Sequence, residues 1–151
     1  IGPFEVAAFS IPHDFCDPVG YIVKADGVTY FHATDIGSPL DSIGERLALA
    51  DAATLESNHD AQLLRMSARP MSLKTRIAGP RGHLSNDDAA LLVRRYAGPR
   101  LRYIALAHLS SECNSPHLAR SAMADALAQA GRTDVALEIL SQDNPSRGWE
   151  C

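Results

Sequence analysis

The chain has 151 residues, 46% of them hydrophobic, and a formal net charge of −4; that length and apolar content suffice for one domain with its own core. It shows no run of about 18 apolar residues and no basic-then-apolar leader, so neither a membrane span nor a signal peptide is expected. The odd count of three cysteines, Cys16, Cys113 and Cys151, without a CxxC pair, argues for reduced thiols in a cytoplasmic protein and against a disulfide framework or a cysteine-rich zinc site.

In chain order, FEVAAFSI (4–11) reads as a strand running into His13 and Asp14. GYIVKA (20–25) and VTYFHAT (28–34) are two more strands, joined by the hairpin signal Asp26-Gly27, and the second delivers Asp35. Ser38-Pro39 predicts a helix start with Ser38 as cap and Asp41 near the positive end, and Leu40, Ile43, Leu47 and Ala50 form its apolar stripe. AATLES (52–57) is a short buried strand ending in Glu56, followed by Ser57, Asn58, His59 and Asp60. A helix beginning at Asp60 is expected to turn Leu63, Leu64 and Met66 inward, and Arg69 to Gly82, with two prolines and two glycines, reads as loop.

Ser85 with Asp88 approximates a capping box, and Ala89, Leu92, Val93 and Tyr96 supply the buried face of the helix it opens. LRYIALA (101–107) is a strongly apolar strand that stops at His108. Ser115-Pro116 opens a helix that Gly131 ends, DVALEIL (134–140) is read as a last strand, and the polar tail through Trp149 as loose. There is no internal repeat and no linker, so residues 1–151 form one α/β unit. The opening at Ile1, without an initiator methionine, suggests a cleavage boundary.

Four predicted strand ends therefore carry histidine or carboxylate, the arrangement by which layered α/β proteins build sites at a sheet edge. A His/Asp set without thiolate, as in His13, Asp35 and His108, suits Zn(II), Mn(II) or Fe(II), and a central carboxylate can bridge two ions. Asp14 could orient such a ligand or stay solvated, and Glu56, Asn58 and His59 could orient a ligand, contact substrate or form a satisfied loop network. His32 reads as a packed strand residue and His117 as exposed. Taken singly, a strand-end histidine is more often a hydrogen-bonded structural residue than a ligand.

The net charge hides a segregation: residues 61–110 hold nine basic and two acidic side chains, against two and ten in residues 1–60 and three and six in residues 111–151. Lys74, Arg76 and Arg81 precede His83 in this basic third and could contact phosphate. The helix start at Ser85 and Asn86 offers free backbone N–H groups to an anion beside His83, although ordinary capping accounts for the same residues.

The runs HDFCDPVGY, TDIG, LESNHD, LKTRIAGPRGHLSN and LAHLS, in that order from residue 13 to residue 110, resemble the metallo-β-lactamase-fold hydrolases, within them the branch of nucleases and phosphodiesterases. The family's HxHxDH motif is absent from this chain, so the resemblance is to a carboxy-terminal half, one half of a four-layer αββα sandwich. It implies two divalent metal ions in the parent protein, zinc or manganese, with His13 completing the first, Asp35 bridging and His108 terminating the second. It implies His83 as proton donor to the leaving oxygen, and DNA or RNA phosphodiesters as substrate. With HxHxDH missing, the chain alone is expected to bind the metal pair weakly, and to self-associate through an exposed sheet face or pair with an amino-terminal half. The alternatives are a small-phosphodiester or thioester hydrolase of the same fold, or an inert binding module.

Overall fold

A computed structural model describes residues 2–150. Alternating apolar residues build a six-stranded sheet in simple sequence order, β1 (Glu5–Ser10), β2 (Val19–Ala25), β3 (Val28–Ala33), β4 (Ala52–Glu56), β5 (Tyr103–Ala107) and β6 (Ala136–Ile139). The first three strands form an antiparallel meander and the last four a parallel run. Asp26 and Gly27, both at positive φ (50° and 81°), make the tight turn between β2 and β3 that their sequence announces. Each parallel crossover carries helix: α1 (Asp41–Leu47) after β3; α2 (Ala61–Met66), α3 (Met71–Ile77) and α4 (Asn86–Tyr96) after β4; α5 (Pro116–Gln129) after β5.

The side-chain period of two gives the sheet two unlike faces. On one, Phe9, Phe31, Ala33, Ala53, Leu55, Ile104 and Leu106 form a continuous core with Ile43 and Leu47 of α1, Ala89, Leu92 and Val93 of α4, and Met123 and Leu127 of α5. The other presents Val6, Val19 and Tyr21, all exposed, then Val23, Tyr30, His32 and Tyr103, half-buried, and no helix contributes to it a side chain of the main core. The tail, irregular and mostly exposed, folds back over part of this face, Trp149 stacking on Tyr103 with ring centroids 6.1 Å apart.

Three expectations need correction. The 69–82 segment holds α3, which proline and glycine punctuation at its ends concealed: Pro70 is the N-cap, and the helix buries only Ile77, too little for an apolar stripe. In α2 only Leu64 is buried, while Leu63 and Met66 face solvent, because this two-turn helix meets only a small second core of Leu64, Ile77 and Cys113. Leu40, rather than Ser38, caps α1 and is itself exposed; the Ser38 hydroxyl donates to Pro80 O. The capping box of Ser85 and Asp88, the Ser115 cap of α5 and the half-buried His32 stand as read. No helix among the described residues is long and apolar enough to cross a membrane.

Candidate metal centre

The carboxyl ends of β1, β3, β4 and β5 lie along one edge of the sheet, and five ionisable side chains meet there, each brought by a different segment. His13 follows β1, Asp35 follows β3, Glu56 is the last residue of β4, His83 sits between α3 and α4, and His108 follows β5. Asp35 and His108 leave their strands with φ of +59° and +58°, a left-handed turn that costs a non-glycine residue about 1–2 kcal/mol. Neighbouring polar groups hold the turn at His108: Asn58 Nδ2 donates to His108 O at 2.8 Å, and Ser110 N to Asn58 O at 2.8 Å. At His83, Gly82 allows the chain to leave α3, because a Cβ there would clash with Ile77 O.

Glu56 forms the floor, fully buried. Its Oε1 accepts from His83 Nδ1 at 2.8 Å and His108 Nδ1 at 2.7 Å, and its Oε2 from Ile36 N at 2.8 Å and Leu84 N at 3.0 Å. Burial pushes this carboxyl up, but the hydrogen bonds from His108 and His83, the charge of His83 and the Leu84 amide outweigh it and hold Glu56 at about 2. An ionised carboxylate only accepts, so both Nδ1 atoms must carry the proton. His13 Nδ1 lies 2.9 Å from Gly82 O, another pure acceptor, and must donate as well. Three tautomers are thereby fixed, leaving three Nε2 lone pairs for other partners. In return, the Glu56 hydrogen bond draws the His108 pKa up against the burial that lowers it.

At the rim, Asp35 Oδ1 accepts no hydrogen bond among the described residues and lies 3.5 Å from His13 Nε2, 3.7 Å from His83 Nδ1 and 3.6 Å from His108 Nδ1. The rings of His13 and His108 flank that of His83, with centroids 5.0 and 5.1 Å from it. Atoms of metal-ligand type on Asp35, Glu56, His83 and His108 fall within 4.8 Å of one another. Since all four acceptor positions of Glu56 are engaged, the open donors are Asp35 Oδ1 and the imidazole Nε2 atoms. Imidazoles that give Nδ1–H to a carboxylate or carbonyl and keep Nε2 open are arranged as metal ligands usually are. Only His13 turns its Nε2 toward Asp35, while His83 and His108 approach it through Nδ1, and this His/Asp donor set fits a divalent cation.

The rim opens into a cavity of about 480 Å³, lined among others by His13, Asp14, Asp35, Asn58, His83 and His108, with Arg69, Arg76 and Ser111 on its wall. Asp14 accepts from Arg76 Nε at 2.5 Å, which lowers its pKa, and lies 3.7 Å from His13 Nε2. Other residues singled out in the sequence face elsewhere. His59 is buried beside a separate crevice of about 250 Å³ between α2 and α3, its Nδ1 without a hydrogen-bond partner among the described residues. Lys74 lines that same crevice and donates to Arg65 O at 2.7 Å. Ser85 Oγ is engaged with Asp88, and Asn86 is buried against Ser57 and Asn114. Arg69 was not singled out as a phosphate contact, since only the folding of α3 brings it to the cavity.

No protein-family model matches the chain. Among curated proteins it is 35% identical over 130 residues to exodeoxyribonuclease YycJ of Bacillus anthracis, covering 86% of this chain and 49% of that protein. It is 36% identical over 129 residues to exodeoxyribonuclease WalJ of Streptococcus pneumoniae serotype 2, covering 85% and 48%. The chain thus spans about half the length of the curated relatives it matches. Similar solved structures include Zn(2+)-bound PqqB from Methylobacterium extorquens, with TM-score 0.57, 15% identity and coverage of 93% of this chain and 45% of that one. They also include the metallo hydrolase Igni18 from Ignicoccus hospitalis, with TM-score 0.57, 16% identity and coverage of 91% and 50%.

Proposed function

The chain has the metallo-β-lactamase fold, and from that premise we propose that it is the carboxy-terminal portion of a metal-dependent nuclease hydrolysing phosphodiester bonds of DNA or RNA. The observation that carries the reading is the ring of three imidazoles, each tied down at Nδ1, around the free Oδ1 of Asp35. His13 and His108 through Nε2, with Asp35 between them, would hold divalent ions, zinc or manganese. When bound, such ions supply charge neutralisation at the phosphate and a nucleophile at neutral pH. His83 shares its floor carboxylate with His108; as imidazolium it gives its Nε2 proton to the departing oxygen while Glu56 stabilises the charge and keeps the ring in place. Asp14 holds Arg76 at the cavity wall, where the guanidinium meets substrate phosphate.

His13, Asp35 and His108 are too few to complete two metal shells. The remaining ligands would come from an amino-terminal half packed on the open sheet face, whose upper edge is this same rim; the greater length of the relatives supports such a half. The cysteines, Cys16 and Cys113 free among the described residues, suit a reducing compartment such as the cytoplasm.

The test is cleavage of end-labelled DNA and RNA oligomers by the complete polypeptide with Zn(II) or Mn(II). We expect cleavage that Asp35→Asn abolishes without unfolding the protein. Failure of the folded wild type to cut either nucleic acid under both metals refutes the reading.

A further inference from the structure

We propose that Arg69 is a second phosphate contact, set apart from Arg76, so that the centre takes a nucleic-acid strand through at least two of its phosphates rather than one isolated phosphodiester. This rests on the nuclease reading and adds a subsite to it. Both arginines lie on the wall of the same cavity as the metal centre. Each is held by one carboxylate at one position: Glu112 Oε2 accepts from Arg69 Nε at 3.0 Å, and Asp14 Oδ2 from Arg76 Nε at 2.5 Å. In both cases Nη1 and Nη2 make no hydrogen bond among the described residues. A carboxylate on Nε fixes the guanidinium plane and leaves the outer fork for a planar or tetrahedral anion, a better use of arginine than of lysine.

Placement separates the two. Asp14 belongs to the β1–β2 loop beside His13, and Glu112 to the β5–α5 loop four residues past His108, so the arginines stand on opposite sides of the histidine row. Six residues lie between them, five of them in α3; the helix alone rises roughly 7 Å from Met71 to Arg76, and the extended Pro70 adds to the separation, more than one phosphate group spans. Stability does not explain the pairs. Glu112 is 66% exposed and Arg76 67% exposed, and exposed ion pairs of this kind contribute about 0–1 kcal/mol. Ser111 beside Glu112 adds a hydroxyl on the Arg69 side of the wall.

The test is fluorescence anisotropy of a labelled single-stranded DNA or RNA dodecamer with the chain over a range of salt, wild type against variants whose folding is checked by circular dichroism. Arg69→Gln is expected to weaken binding about threefold to tenfold and to reduce the slope of log K against log salt by about 0.7. Arg76→Gln should do the same, and the double variant should lose about twice that slope. Arg69→Lys keeps the positive charge but lacks the planar fork; it should weaken binding while preserving the slope, and it decides the matter should Arg69→Gln misfold. Unchanged affinity and slope in Arg69→Gln, or unchanged affinity in Arg69→Lys, overturns the second contact and leaves the nuclease reading standing. Absence of strand binding by the wild-type chain overturns the two-phosphate subsite, whereas the nuclease reading is decided separately by cleavage with the complete polypeptide.

Discussion

The two faces of the sheet are made by the same strands and yet have opposite status. The helix-covered face is finished: Phe31, Leu55, Ile104 and Leu106 are fully buried under α1, α4 and α5. The open face is apolar and covered by no helix, only in part by the tail, with Val6 and Tyr21 at 49% and 40% exposure, and Tyr30 Oη pairs with Thr54 Oγ1 at 2.6 Å and Tyr103 with Glu138. Sheets in layered proteins bury both faces when a second layer is present. The difference teaches that the stability of this chain resides on one face, while the other offers apolar surface that no helix covers, with the candidate metal centre at the edge they share.

The sharpest way to break that comparison is to empty the finished face. Phe31 is wholly buried and stacks on Phe9 with centroids 5.6 Å apart. Phe31→Ala should cost about 3–5 kcal/mol in urea denaturation, enough to unfold a marginal domain. A loss under 1 kcal/mol would mean that the core is not where the helices pack.

The next largest effect belongs to the shared edge. Glu56 is held at about 2 against an ordinary value of 4.5, so the folded carboxyl binds its proton more weakly than the unfolded one. It therefore contributes stability above pH 4.5 that is lost as pH falls toward 2. For the metal-free chain the difference corresponds to about 3 kcal/mol. Urea midpoints measured from pH 6 down to pH 3 should fall, and Glu56→Gln should flatten that acid limb; an unchanged limb would mean that Glu56 is not the buried anchor. His108 works in the other direction. Its pKa is raised, so its contribution is fully present below its unfolded value and fades as pH rises through the folded one.

Legibility in the sequence follows the same division. The strands, the capping box at Ser85 and the strand-end positions of His13, Asp35 and His108 could be read because period-two alternation and cap chemistry are local signals. The floor could not be resolved so finely. Nothing near Glu56 in sequence says that its carboxylate gathers Ile36 and Leu84 amides from 20 and 28 residues away and two histidines besides. Ser85 and Asn86 illustrate a real ambiguity, since the atoms that cap a helix are those that would meet an anion, and here they are engaged inside the fold. α3 escaped notice because a helix burying one residue leaves no periodic trace, and Arg69 escaped with it.

The smallest effect in the isolated chain is the most discriminating for the comparison. Tyr21 stands on the open face of β2, 40% exposed, opposite His32, and its ring touches none of the main core. Tyr21→Ser should shift the stability of this chain by no more than about 0.5 kcal/mol, the range for substitutions outside buried networks. If the open face is the seat of an amino-terminal sheet, the same change should weaken association with that half, because an aromatic at the centre of a desolvated interface carries a large share of its energy. Sedimentation of the two halves mixed in trans, wild type against Tyr21→Ser, reads the second effect, and urea denaturation of the chain alone reads the first. A large stability loss together with unchanged association would reverse the roles assigned to the two faces.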